Sequence, residues 1–200
     1  AGAFNANVIK AAQSFINESA GKELELIPVG RKGRDYFKRR GVKFANEYIG
    51  LTARGTANYN DAVEIAKDVI MRFTEDTEID KVFLVYTEFK TVLTQRPVVE
   101  QLLPIRQKSE GEADIKADYI YEQPVTEIFE ELLPRQVETQ IYRAMLESVA
   151  SFFGSQMTAM DSATKNAGEL IDTLTLNMNR IRQAAITKEI IEVVSGASAL

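Results

Sequence analysis

From Arg135 to about Ser195 the sequence has no proline, and its only glycines are Gly154 and Gly168. An unbroken helix over that span would run roughly 90 Å at about 1.5 Å per residue. Helices in globular proteins average about 10–14 residues, and one compact domain cannot bury so long an element. Much of the helix is therefore expected to project. Met160, Ala163, Ala167, Leu170, Leu174, Met178 and Ile181 recur at steps of three or four, the spacing of a coiled-coil seam. The small side chains of Ala163 and Ala167 would admit a partner helix at close range. No second long helical pattern occurs in the chain, so the partner is expected from another chain or from a segment missing from this sequence.

The preceding residues alternate between helix-like and strand-like segments. Phe4, Val8, Ala12 and Phe15 fall at helical spacing, with Ser19, Gly21 and Lys22 as a stop. Leu24–Val29 is predicted as a short strand, placed at an edge or a strand end by Pro28. Asp35–Arg40 is predicted as a short helix closed by Gly41, and Val42–Leu51 as a strand. Asn60 is the expected N-cap of a helix with Val63, Ala66, Ile70 and Phe73 on its apolar face. Val82–Tyr86 is a continuous apolar run, as for a strand buried on both faces, and Val92–Leu103 adds another strand. Such alternation predicts an α/β fold with a largely parallel sheet. The chain thus divides into an α/β domain over 1–105, a polar segment over 106–124 with a mobile loop at Arg106–Lys116, and a helix over 125–200 that pauses at Pro134.

Composition narrows the chemistry. The 45% hydrophobic and 26% charged content suits a folded protein, and the net charge of −5 gives no general pull toward nucleic acid. Cysteine and histidine are absent, which removes disulfides, thiolate chemistry, Ser-His-Asp catalysis and His-rich zinc sites. No apolar run approaches the roughly 20 residues that span a bilayer, and no signal-peptide pattern opens the chain. The start at Ala1-Gly2, without methionine, leads us to expect a fragment or a processed form. Arg31, Lys32, Arg34, Lys38, Arg39, Arg40 and Lys43 form a basic stretch, which in an acidic chain reads as a solvated face or a protein contact. Gly30-Arg31-Lys32-Gly33 lacks P-loop spacing. Glu130/Glu131 and Glu75/Asp76 are neighbours in sequence and read as surface charge.

Several stretches carry a family pattern. Ile186-Thr187-Lys188-Glu189, then Glu192, then Gly196-Ala197-Ser198-Ala199 close the chain, preceded by Asn179-Arg180-Ile181-Arg182-Gln183-Ala184-Ala185. Upstream lie Met160–Glu169, Gly2-Ala3-Phe4-Asn5, Gly30–Gly33, Glu88-Phe89-Lys90 and Val99–Pro104. In these motifs, and in their order over nearly the whole chain, the sequence resembles the gamma subunits of F-type ATP synthases. One departure is Phe152-Phe153, where members usually carry polar residues. The pair is expected to pack on the α/β domain, on an absent helix or on another subunit.

The resemblance implies a Rossmann-like domain and a long C-terminal helix that forms half of an antiparallel coiled coil. It implies that the family's N-terminal helix and first strand are missing ahead of Gly2. It implies a non-catalytic rotor subunit with no cofactor and no metal, turned by a membrane ring inside a catalytic head. The implied partners are the alpha and beta subunits, the epsilon subunit and the membrane c-ring, with no nucleic acid. Carried over by position, Arg182, Gln183, Thr187 and Glu189 match polar contacts with beta-subunit loops. Ala197, Ser198, Ala199 and Leu200 match the shaft tip, and Tyr119, Tyr121 and Glu122 the foot that faces the ring. The expected location is peripheral, on the cytoplasmic face of a bacterial plasma membrane, ahead of a mitochondrial inner membrane or a thylakoid. Two rivals come from other classes. One is a small α/β nucleotide-binding domain with a dimerising coiled coil, which would carry a ligand pocket at the carboxyl ends of its strands. The other is a nucleic-acid adaptor using Arg31–Lys43, which would bind DNA in a salt-dependent way.

Overall fold

Apolar residues at helical spacing build the first element, and the structure, a computed structural model, describes residues 2–51, 55–105 and 125–198. Helix α1 spans Phe4–Glu18 and ends at Ser19, where the chain turns through Gly21 at φ +99°. Helix α2 spans Arg31–Lys38, and Gly41 at φ +69° closes its exit. It starts four residues ahead of the predicted Asp35, with Gly30 at φ +116° ahead of its first turn.

Helix α3 spans Tyr59–Glu75. Its N-cap is Asn58, not the expected Asn60: the Asn58 side chain accepts from the Asn60 N–H, so Asn60 lies inside the first turn. The buried face is Ala62, Ile65, Ala66 and Val69, with Ile70 and Phe73 partly buried beside it. That face keeps Ala66, Ile70 and Phe73 of the predicted one and is centred on Ala62, Ile65 and Val69 in place of Val63.

Strand β1 spans Val82–Phe89 and β2 spans Gln95–Leu103. They pair antiparallel, from Val82 opposite Leu103 to Phe89 opposite Gln95. Among the described residues this hairpin is the only regular sheet, so the largely parallel sheet is corrected. Parallel pairing is confined to two bridges, Leu26 with Phe44 and Val29 with Tyr48. Between them one segment advances three residues and the other four (26 to 29, 44 to 48), so no continuous register forms. Pro28 has no N–H to extend a ladder, though its carbonyl accepts from the Tyr48 N–H at 2.9 Å. The predicted strands at Leu24–Val29 and Val42–Leu51 are thus extended segments joined at single bridges. Nor is β1 buried throughout, since only Tyr86 and Thr87 are fully buried. Its side chains alternate instead: Val82 and Leu84 pack on the core, while the Phe83 ring meets Phe15 of α1 at 4.8 Å.

Helix α4 spans Val125–Ser198, 74 residues, and runs through Pro134 where a pause was expected. The proline costs the N–H that would reach the carbonyl of Glu130. Continuation is favoured because Val137, Ile141 and Met145 enter the core beside Ile65, Val69 and Leu102. Each fully buried side chain of that size contributes about 1.5–3 kcal/mol. Tyr59 Oη adds a tie from α3 by donating to Glu138 at 2.7 Å.

The chain forms two units, Ala1–Gln156 and Met157–Leu200, and α4 is continuous across their boundary. The predicted loop at 106–116 lies outside the described residues.

Candidate functional site

Among its described residues the second unit is helix alone. Residues 157–198 would extend about 60 Å at roughly 1.5 Å per residue. Its seam is open: Met160 is 62%, Leu174 57% and Ile181 69% exposed, and Leu170 and Met178 are exposed as well. At about 100° per residue, the seven seam positions fall within one stripe roughly 80° wide.

Arg182, Gln183, Thr187 and Glu189 are all exposed on α4. Their helical positions form two pairs. Arg182 and Glu189 lie within about 20° of each other, and Gln183 and Thr187 within about 40°. Between the pairs runs a second apolar stripe, Ile186, Ile190 and Val193, which is also exposed. This stripe is turned by roughly 130° from the seam, so separate partners can cover the two. An apolar strip with polar flanks has the composition of a protein interface. The sequence reading named the polar residues and missed the isoleucines. Projecting the same residues onto a helical wheel would have found them.

Thr187 Oγ1 donates to the carbonyl of Gln183 at 2.9 Å, so it offers a partner its lone pairs and its methyl group. Lys188 is within 3.7 Å of Glu192. Arg182 and Glu189 have no charged partner among the described residues. Ala197 and Ser198 end α4, and Ser198 Oγ donates to the Val194 carbonyl at 2.8 Å. Ala199 and Leu200, and the foot residues Tyr119, Tyr121 and Glu122, lie outside the described residues.

In the first unit, Phe152 packs on α1, while Phe153 is about half exposed with its ring edge near Gly55. The Phe152 ring meets Phe4 at 5.8 Å edge-on, and the Phe153 ring meets Phe152 at 5.5 Å. The basic stretch occupies α2 and its exit. Arg34 pairs with Asp35 at 2.8 Å, Lys43 pairs with Glu25 and Glu23, and the Arg40 guanidinium stacks 3.7 Å over Tyr36. Hydrogen bonds from Lys43 to Glu25 and Glu23 push its ammonium up from the ordinary value. A shallow groove of about 290 Å³ lies between α1 and α2, lined by Asn5, Ile9, Lys32, Asp35, Tyr36 and Arg39. It sits on helices, away from strand ends. Among the described residues no cluster of three or more Asp or Glu side chains could hold a metal ion.

The family model for ATP synthase matches residues 1–200. The ATP synthase gamma chain of Solibacter usitatus is 50% identical over 199 residues, spanning 100% of this chain and 68% of that protein. The chain belongs to the ATP synthase gamma family. The gamma chain of Pelotomaculum thermopropionicum is likewise 50% identical, over 69% of its length. Among solved structures, the central stalk and c-ring of Tetrahymena thermophila mitochondrial ATP synthase matches with TM-score 0.61 at 20% identity. It covers 82% of this chain and 70% of that one. A Euglena gracilis mitochondrial assembly of OSCP, F1 and c-ring matches with TM-score 0.63 at 16% identity, over 99% of this chain and 68% of that one. The mixed α/β unit with a small sheet and a long C-terminal helix is the fold these share. Within the family, this chain is a central-stalk subunit of the rotary motor for ATP synthesis.

Proposed function

We propose that this chain couples rotation of a membrane ring to conformational change in the catalytic beta subunits, and that it does so without catalytic residues of its own. The observation that carries this reading is the distal part of α4, a long single helix with two exposed apolar stripes on different faces. Such a shaft can work as a cam. Each orientation presents different contacts to each surrounding site, and differential contacts are what shift the affinities of coupled sites. The chain needs only stiffness and asymmetry for this.

The finer features follow the same reading. The Met160–Ile181 seam is one half of an antiparallel coiled coil, supported by its exposure and its spacing. The α/β unit is Rossmann-like, supported by the parallel sense of the Leu26–Phe44 and Val29–Tyr48 bridges around α2. Residues 1–105 form its α/β body, 106–124 the loop and ring-facing foot with Tyr119, Tyr121 and Glu122, and 125–200 the shaft. Arg182, Gln183, Thr187 and Glu189 contact beta-subunit loops, with Ile186 and Ile190 between them, and Ala197–Leu200 form the tip. The partners are the alpha, beta and epsilon subunits and the c-ring. The location is the cytoplasmic face of a bacterial plasma membrane, held there by the complex. Bacterial relatives support the source, and no helix among the described residues is long and apolar enough to cross a membrane.

The test is reconstitution. Tagged chain should copurify with alpha and beta subunits and support ATP-driven proton pumping in membrane vesicles. Purified chain alone should show no ATP turnover. Turnover that survives removal of all beta subunit would overturn the non-catalytic role.

A further inference from the structure

Along α4 the stripe that faces the α/β elements changes character. Val137, Ile141 and Met145 fill it with large apolar side chains in the core. Further along, the α4 residues that meet the hairpin, Ser151, Gly154 and Ser155, are small. Ser151 is 0% exposed and donates Oγ to the Thr87 carbonyl of β1 at 3.2 Å. Ser155 Oγ donates to Gln95 Oε1, at the start of β2, at 2.9 Å. Between them Gly154 is buried. A Cβ added there would meet Gln95 Nε2 at 3.1 Å, the Phe89 ring at 3.3 Å and the Val92 carbonyl at 3.4 Å.

The receiving side is itself fixed. Gln95 Nε2 donates to the Val92 carbonyl, so both ends of its carboxamide are engaged. The turn that carries it is closed by Thr91 N–H donating to Thr94 O at 3.0 Å and Thr94 N–H donating to Thr91 Oγ1 at 3.0 Å. Apolar packing is non-directional and resists the roll of a helix only through the fit of its shapes. Hydrogen bonds are directional and weaken steeply off axis. With side chains about 5 Å from the helix axis, a roll of about 20° moves a hydroxyl by about 1.7 Å, enough to break either bond.

We propose that Ser151, Gly154 and Ser155, with Gln95, form a rotational clamp that fixes the azimuth of α4 against the β1–β2 hairpin. These are positioning residues, and the inference rests on the rotor role proposed above. The clamp lies within the last two turns before the unit boundary at Gln156. Torque passing between the α/β unit and the helix is then borne by directional contacts as well as by apolar ones.

The test uses an isosteric pair. Ser155→Thr keeps the hydroxyl, and Ser155→Val has the same shape without it. In the assembled synthase, torsional stiffness is measured from single-molecule rotor fluctuations, and proton pumping is measured per ATP hydrolysed. The threonine variant should keep the stiffness of the unsubstituted rotor. The valine variant should lose at least about twofold, with fewer protons pumped per ATP. Gln95→Leu should reproduce the valine result, and the two together should lose little more than either alone. Equal stiffness for valine and threonine would overturn the clamp while leaving the rotor role intact. So would failure of both Ser155→Val and Gln95→Leu to assemble when Ser155→Thr does, since the bond would then serve folding. If neither the unsubstituted chain nor Ser155→Thr supports pumping, the rotor role falls and the clamp falls with it.

Discussion

The carboxylate of Asp68 on α3 gathers donors from two parts of the chain. Asn46 Nδ2 reaches its Oδ2 at 2.9 Å and Tyr48 Oη at 3.3 Å, while Arg72 Nε reaches Oδ1 at 2.8 Å. Arg72 also donates to the Ala45 carbonyl at 2.9 Å. The cluster ties α3 to the bridge segment around Tyr48. Burial alone would raise the Asp68 carboxyl, but the hydrogen bonds from Asn46 and Arg72 outweigh it and hold the group below the ordinary carboxylate range. A carboxyl whose folded value is depressed stabilises above its unfolded value, about pH 4, and loses that contribution as pH falls through the folded value. Asp68→Asn should therefore cost about 1–2 kcal/mol at neutral pH, and the difference should shrink as pH falls below about 4. Urea denaturation of both proteins between pH 3 and 7 checks this, and a cost independent of pH would refute it. The opposite behaviour is expected at Arg182 and Gln183, which are exposed. Replacing both with alanine should change folding by only about 0.5 kcal/mol. In the assembled synthase it should slow ATP synthesis, as the loss of a charge-assisted bond worth about 1.5–3 kcal/mol would. Unchanged synthesis rates would count against a contact there. The polar contact residues were legible because a family motif runs through them. The Asp68 cluster was not, because only its Asp68–Arg72 pair is local, and Asn46 and Tyr48 join it from 20 or more residues away.

The two portions of α4 look alike in sequence and differ in what holds them. Ile141 is 3% exposed in the core, while Leu174 is 57% exposed in the seam. Ile141→Ala should cost about 2–5 kcal/mol, and Leu174→Ala in the chain alone should stay within about 0.5 kcal/mol. Chemical denaturation separates them, followed by tyrosine fluorescence for Ile141→Ala and by far-ultraviolet circular dichroism for Leu174→Ala, and equal costs would mean that the seam is already covered. Helical elements were legible because their periodicity is local. Phe4, Val8, Ala12 and Phe15 gave α1, and the proline-free run gave most of α4. The strands were less so. Leu24–Val29 and Val42–Leu51 have strand composition, but whether two segments pair in register depends on the geometry between them. There the unequal advance between the bridges and the missing N–H of Pro28 prevent a ladder. Asn58 and Asn60 both suit an N-cap by residue type, and only the fold decided between them.

The units of the molecule rest on different kinds of stabilisation, and the distribution of chromophores allows each to be followed separately. All seven tyrosines lie at or before Tyr142, the last phenylalanine is Phe153, and there is no tryptophan. Aromatic signals therefore report on Ala1–Gln156 alone, whereas far-ultraviolet circular dichroism includes the α4 residues 157–198. The first unit has a buried core built on α3, β2 and α4, so it should unfold cooperatively. The second has no core of its own among the described residues. A helix gains most of its stability from packing an apolar face, and isolated helices are marginal in water. Heating the monomeric chain should thus lower the helical signal gradually, well before the tyrosine signal changes in one sharp transition. Non-coincident probes of this kind are the mark of unfolding that is not two-state. Amides between Leu170 and Ile190 should likewise exchange quickly in the chain alone and become protected in the assembled synthase. On binding a partner helix or the catalytic head, the early loss of helical signal should disappear and the two probes should converge. If the two signals coincide in a demonstrably monomeric chain, the seam is already satisfied within that chain. The assignment of residues 160–181 to a coiled coil with a second helix would then lose its physical basis.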